Sequence, residues 1–426
     1  MKQNHKFKET EIGMIPEDWE VKPAEGFCER VTDGTHATPE KRDEGNYLIT
    51  SRHLKEGHLD FDNAYFISTS DFNEINKRSR VDQWDIIFSM IGTVGEVYLE
   101  KSNKIEYAIK NVGLFKSGNE LYGKWLFFFL KSRLANEYIR KNRSGTTQEY
   151  ITLGSLRKFP IAYPRNTTEM QEIVSHLDSL QNKIELNQQM SATLEKIGQA
   201  IFKHWFIDFE FPDEKGRPYK SSGGEMVDSE LGEIPKGWEV GCLRDICDIT
   251  MGQSPPGQYY NERGEGLPFY QGVVDFGFRF PARRVYCTQA NRFAKKDDVL
   301  LSVRAPVGRL NVAVEKCSIG RGVAALRLKE EHSGLLYYLL CATQSGWDKF
   351  EAEGTVFGSA NKSDVNQFKI VIPPEPLRVL FVSLINPIDE AIKNNDRQLR
   401  VLSQTRDSLL PRLMSGKIRV NAEASQ

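Results

Sequence analysis

The chain has 426 residues, 39% of them hydrophobic and 27% charged, with a formal net charge of -1. That length accommodates two or more domains with ordinary cores, and the composition is that of a soluble globular protein. Near-neutral charge excludes a uniformly basic nucleic-acid-binding surface, and the longest apolar runs, such as WLFFFL at 125–130, are too short to cross a membrane.

The polar start, MKQNHKFKETE, lacks a secretory apolar stretch, and the six cysteines form no CxxC pair, so reduced thiols in the cytoplasm are expected. IGMIPEDWEV, from Ile12 to Val21, then predicts a proline turn, a buried Trp19 and a strand. DIIFSMIGTVGEV (Asp85 to Val97) reads as a buried strand with a turn at Val94-Gly95, and WLFFFLKS from Trp125 as a short buried helix. SGTTQEYITLGSLRKFPIAYP (Ser144 to Pro164) ends in a strand and a proline just before a long helix. In that helix Ile173, Leu177, Leu180, Ile184, Asn187, Ser191, Leu194, Gly198, Ile201 and Trp205 fall at alternating steps of four and three, the spacing of a coiled-coil seam.

The pattern then recurs. LGEIPKGWEV (Leu231 to Val240) repeats the opening, DVLLSVRAPVGRL (Asp298 to Leu310) the buried strand, LLYYLLCA from Leu335 the short helix, and EGTVFGSANKSDVNQFKIVIPP (Glu353 to Pro374) the final strand. A second seam carries Phe381, Ile385, Ile388, Ile392, Asn395, Leu399, Leu402, Arg406, Leu409 and Leu413, offset by 208 residues so that Asn395 falls on Asn187. A polar residue at a seam position costs stability but sets register, so the two helices are expected to pack on each other. The expected boundaries are a mixed domain at 1–165, a long helix at 166–208, an exposed Gly/Ser-rich linker at 209–230, a second domain at 231–374, a second long helix at 375–416 and a tail at 417–426. A two-fold repeat leaves the helices either parallel or antiparallel.

Chemistry-bearing motifs are missing. There is no HExxH, no Cys/His metal spacing, no GxSxG and no GxGxxG, and GNELYGKW (Gly118 to Trp125) has Trp125 where a phosphate loop needs Ser or Thr. Neither a catalytic site nor a metal site is expected.

Tandem mixed domains, each followed by a long helix, together with DGTHATP, MGQSPP, RAPVGRLNVAV, SGTTQEYITLGSLRKFPI, IFKHWFIDF and LLPRLMSGKIRV, resemble the specificity subunits of type I restriction-modification systems. The resemblance implies an α/β (mixed α+β) fold: two similar target recognition domains separated by two long helices packed as an antiparallel coiled coil. Each domain would read one half of a bipartite DNA target, and the chain would be non-catalytic. It also implies partners, namely double-stranded DNA, two methyltransferase subunits and the restriction (motor-nuclease) subunits. No cofactor is expected on this chain; S-adenosylmethionine belongs to the methyltransferase partner, and ATP and Mg to the nuclease.

Candidate DNA contacts are local basic and polar clusters beside turns, where Arg can fork to guanine and hydroxyls can take phosphate. They are Thr35 and His36; Lys77, Arg78 and Arg80; Arg143, Ser144, Thr146, Thr147 and Gln148, preceded by Arg140 and Lys141; Gln253, Ser254 and Gln258; Arg279, Arg283 and Arg284; and Arg304 and Arg321, with Arg309 beside them. Partner docking is expected on the helix pair around Lys183, Gln188, Gln189, Lys393 and Arg397; the aromatic end Phe202, Trp205 and Phe206 fits docking and packing into the core equally. The alternative is a non-catalytic protein-binding scaffold with two recognition domains on a coiled-coil rod. It predicts no steep salt dependence of DNA affinity.

Overall fold

A computed structural model of the chain describes residues 6–55, 57–146, 148–330, 333–350 and 358–420. The chain forms two compact units, Met1–Glu185 with Leu399–Gln426, and Leu186–Gln398. Each contains mixed strands and helices together with a segment of both long helices.

In the first unit a four-stranded antiparallel sheet runs in the order Val97–Leu99, Ile86–Ser89, Val112–Lys116, Arg30–Asp33. Ile86–Ser89 is buried along its whole length, as an uninterrupted apolar run should be when both faces are covered. A smaller sheet places Asn46–Ile49 between Tyr107–Ile109, parallel to it, and Tyr65–Ile67, antiparallel to it. Trp19–Pro23 pairs with Pro160–Pro164, so the opening strand meets the one that leads into the long helix. Between them lie the helices Glu120–Leu130 and Arg133–Asn142, capped by the side chains of Asn119 and Ser132.

The second unit repeats this order strand for strand: Leu310–Val312, Val299–Ser302, Val323–Leu328, Cys247–Met251. Leu267–Tyr270 and Cys317–Ile319 supply the corresponding parallel pair, and Glu239–Cys242 pairs with Lys369–Ile372. Turns fall at Gly95 and Gly308, with φ of 106° and 88°, where the two aligned sequences place them.

The long helices are Thr167–Phe206 and Glu375–Met414. In the first unit Arg406 Nη1 donates to Gln181 Oε1 at 2.8 Å, while Ile173 and Leu177 share a core with Leu410, Leu413 and Met414. In the second unit Asn187 Nδ2 donates to Gln398 Oε1 at 3.1 Å, Asn395 Nδ2 donates to Ser191 Oγ at 3.3 Å, and Phe202 meets Phe381 at 5.6 Å. Numbers rise along one helix as they fall along the other, so the segments are antiparallel within each unit. The two seam asparagines are buried, but each bonds a neighbour on the facing helix rather than the other asparagine.

Two expectations change. Phe202 and Phe206 are buried against Phe381 and Trp238, with Trp205 half-buried beside them, so this helix end is core. The stretch read as an exposed linker is partly built in: Phe211 stacks on Tyr219 at 4.6 Å and on Trp238 at 5.2 Å, and Met226–Ser229 forms a hairpin with Gly232–Pro235. The first follows from Phe381, distant in sequence; the second is a local hairpin and ring stack that its Gly and Ser content masked. No helix among the described residues is long and apolar enough to cross a membrane.

Candidate nucleic-acid interface

One end of each four-stranded sheet gathers loops. In the first unit the chain leaves the sheet after Asp33 and after Ser89 and enters it at Val112; Asp33 faces Gly113 and Ser89 faces Val112. In the second unit the corresponding residues are Met251, Ser302 and Val323, with Met251 facing Ala324 and Ser302 facing Val323.

Just beyond the sheet the backbone makes the same close approach in both copies. Thr35 donates its N–H to Ile109 O at 3.0 Å, and Gln253 donates to Ile319 O at 3.0 Å. Only glycine allows it, because a Cβ on Gly34 would lie 2.4 Å from Ile109 O and one on Gly252 would lie 2.1 Å from Gly320 O.

In the first unit, buried Asp33 accepts from the Arg78 guanidinium and meets His36 Nε2 at 3.0 Å, while His36 Nδ1 meets Asn111 Oδ1 at 2.9 Å. One interior carboxylate therefore orients two exposed side chains. Lys110 bridges to Thr35 and reaches the Thr38 hydroxyl. A second loop closes beside this one. Arg143 donates to Val94 O at 2.9 Å and to Glu149 Oε2 at 2.8 Å, Ser144 and Tyr150 exchange backbone bonds at 2.9 Å, and Gly92 N–H donates to Glu149 O at 2.9 Å. Ser144, Thr146 and Gln148 are exposed on that loop; Thr147 lies outside the described residues.

In the second unit Ser254 Oγ accepts the Arg321 N–H at 3.1 Å, Arg304 bridges to Ser359, and Gln258 is exposed on the turn Gly257–Tyr259. Arg284 lies 3.5 Å from buried Asp275, whose carboxylate also accepts the Gln271 N–H at 2.8 Å. Burial pushes the Asp275 carboxyl above its ordinary value, against the pull of Gln271 and Arg284.

Other candidates lie elsewhere. Lys77 pairs with Glu74 at 2.5 Å along the helix Thr69–Ser79, and Arg283 turns to Glu315 at 2.5 Å. Arg80 pairs with Asp82 at 3.1 Å, and its carbonyl accepts from Lys116 at the far end of the sheet, where Lys116 faces Arg30. Arg279 is the clearest departure. Read from sequence as part of an exposed basic cluster, it is 4% exposed, paired with Glu195 at 2.6 Å and Asp389 at 2.8 Å, and lies 3.6 Å above the Tyr337 ring. Two helix carboxylates draw it inward, so it is structural. On the helices Lys183, Gln188, Gln189 and Arg397 are exposed, whereas the Lys393 side chain is largely covered and turns to Glu390 at 3.2 Å and Asp297 at 3.4 Å.

The sequence reading missed Lys110, Asn111 and the two glycines. The available signal was the position of Gly34 in DGTH and Gly252 in MGQS, each directly after a short strand and before polar residues. Among the described residues no group of three or more His, Cys, Asp or Glu is placed to hold a metal ion.

Residues 16–196 and 235–402 match the type I restriction modification DNA specificity domain. The chain belongs to that family. The putative type I restriction enzyme MjaX specificity subunit of Methanocaldococcus jannaschii is 29% identical over 427 residues, covering 97% of each chain. The MjaIX specificity subunit of the same organism is 28% identical, covering 97% of this chain and 96% of its own. Among solved structures, the type I restriction-modification S subunit from M. genitalium aligns with a TM-score of 0.56 at 16% identity, covering 93% of this chain and 96% of that one, a likeness of fold. Each span that matches this family contains one set of the sheet-end loops.

Proposed function

We propose that the chain is the DNA-reading specificity subunit of a type I restriction-modification complex, each unit reading one half of a bipartite target. The observation that carries this is the duplicated sheet end. Two copies of one loop arrangement, each pinned by a glycine at the same close approach, present different side chains: Thr35, His36, Arg78, Ser144, Thr146 and Gln148 in one, and Gln253, Ser254, Gln258, Arg284, Arg304 and Arg321 in the other. A shared scaffold with divergent exposed donors and acceptors suits two readings of different base edges.

On this reading the chain performs no reaction. Methylation is done by two methyltransferase subunits that carry S-adenosylmethionine, cleavage by restriction subunits that use ATP and Mg, and the exposed faces at Lys183, Gln188, Gln189 and Arg397 serve docking. The number of turns in the long helices sets the gap between half-sites. Co-expression with a methyltransferase subunit, followed by mapping of methylated adenines, tests this: a bipartite site with a fixed gap is expected, and its absence overturns the reading. Replacing one unit should change one half-site only.

A further inference from the structure

The two copies treat one cationic position in opposite ways. Aligning WLFFFLKS with LLYYLLCA places Phe127 on Tyr337 and Lys131 on Cys341. Each aromatic carries a cation over its face: Arg279 at 3.6 Å from the Tyr337 centroid in the second unit, and Lys131 Nζ at 4.2 Å from that of Phe127 in the first. Arg279 is neutralised from within by Glu195 and Asp389. The long-helix offset of 208 puts Ser403 where Glu195 stands and Gln181 where Asp389 stands. It also puts Arg406, a further cation, in place of Gly198. The first copy has therefore lost both counterions and gained a charge.

Lys131 opens onto a groove of about 540 Å³ between the helix Arg133–Asn142 and the second long helix, lined by Arg133, Asn136, Arg140 and Asp407 among others. Its two acidic residues are already engaged, Glu137 by Arg133 at 2.9 Å and Asp407 by Arg406 at 2.8 Å. Among the described residues neither Lys131 nor Arg140 has an ion-pair partner. One helical turn beyond Arg140, Arg143 holds the sheet-end loop through Val94 O, so one helix carries both a wall of the groove and the anchor of that loop.

We propose that this groove binds a phosphodiester group of duplex DNA through Lys131 and Arg140, outside the loops that read bases. The inference rests on the DNA-reading function proposed above. Burial and the nearby Arg406 push the Lys131 ammonium down to about 8, against the weaker pull of Glu96, Glu185 and Asp407, none of which pairs with it directly. A phosphate contact of this kind adds affinity without sequence information.

The test uses the full chain with its methyltransferase partner, and measures affinity for a duplex carrying the mapped site and for one lacking it, from low to moderate salt. The double variant K131M/R140Q should weaken binding to both duplexes by the same factor and reduce the log-log salt slope by about 1, the share of one phosphate. The methylated sequence should stay the same. Unchanged affinity and slope in a variant that still methylates the mapped site overturns the inference and leaves the DNA-reading function standing; failure of the unaltered complex to select any site overturns that function instead. Two further results count against the groove as a DNA contact: loss of partner association with DNA affinity intact, and inorganic phosphate raising the Tm of the unaltered chain but not of K131M/R140Q while DNA affinity is equal in both.

Discussion

The Tyr338 hydroxyl lies against Gly198 on the first long helix, where a Cβ would come within 2.5 Å of it. From there it donates to Asp389 on the second long helix at 2.7 Å. A glycine inside a 40-residue helix is thus explained by the tyrosine that enters at that point.

G198A should therefore destabilise the protein. Helix propensity alone favours Ala by about 1 kcal/mol, whereas forcing extra volume into a packed contact costs about 1–3 kcal/mol. Packing wins, so urea unfolding should show a net loss, and Y338L should restore much of it. A stability gain in G198A on its own would sink this account.

Arg279 supports the same region. R279M leaves the buried Glu195 and the half-buried Asp389 without their cation, with an expected cost of about 3 kcal/mol. Removing the two carboxylates as well, in R279M/E195Q/D389N, should recover most of that loss. A single variant as stable as the parent would show that the cluster contributes nothing.

Much of this fold was legible in the sequence because its signals are local. The seam positions Ile173, Leu177 and Ile184, the buried run Ile86–Ser89 and the turn glycines Gly95 and Gly308 each need only neighbours in the chain to be recognised. What escaped depends on distant partners. Arg279 resembles Arg283 and Arg284 until Glu195 and Asp389, 84 and 110 residues away, are brought beside it. For Phe202 and Phe206 an exposed aromatic end and a packed one read equally well until Phe381 is seen to cover them. The candidate site was half legible: Thr35, His36, Gln253 and Ser254 lie where the turns suggested, but Lys110 and Asn111 join them only through strand pairing.

The seam asparagines should trade stability for register. Asn187 and Asn395 are buried with one bond each across the helix pair, and Asn187 Oδ1 has no partner among the described residues. N187L/N395L should raise Tm, because apolar side chains suit that seam, while broadening the distribution of gaps between methylated half-sites. Lower Tm together with a single unchanged gap would contradict this assignment.

Each close-approach glycine should control one half-site. In G34A the new Cβ meets Ile109 O, and in G252A it meets Gly320 O, so each loop must shift as a whole. Maps of methylated adenines are expected to show relaxed selection at one half of the target for G34A and at the other half for G252A. Relaxation of both halves by either variant would rule out independent loops.

The pH dependence of stability should report Lys131. Its folded value of about 8 lies below the ordinary 10.5, so between those values the unfolded chain holds a proton that the folded chain has released. Lys131's own contribution to stability then rises with pH across that window, and below about 8 the full cost of burying the ammonium is felt, on the order of 3 kcal/mol, whereas the buried thiols of Cys28, Cys247, Cys317 and Cys341, pushed up to about 12, pull the total down above pH 9. Measured without DNA or phosphate, K131M should be more stable than the parent at pH 7, and that advantage should shrink as pH rises from 8 to 10.5, a difference in which the cysteine contributions cancel. Bound duplex supplies a counterion, so it should raise the lysine value and flatten the pH dependence of that difference. A difference between K131M and the parent that does not change between pH 8 and 10.5 without any ligand would mean that Lys131 is solvated and that the groove stores no unsatisfied charge.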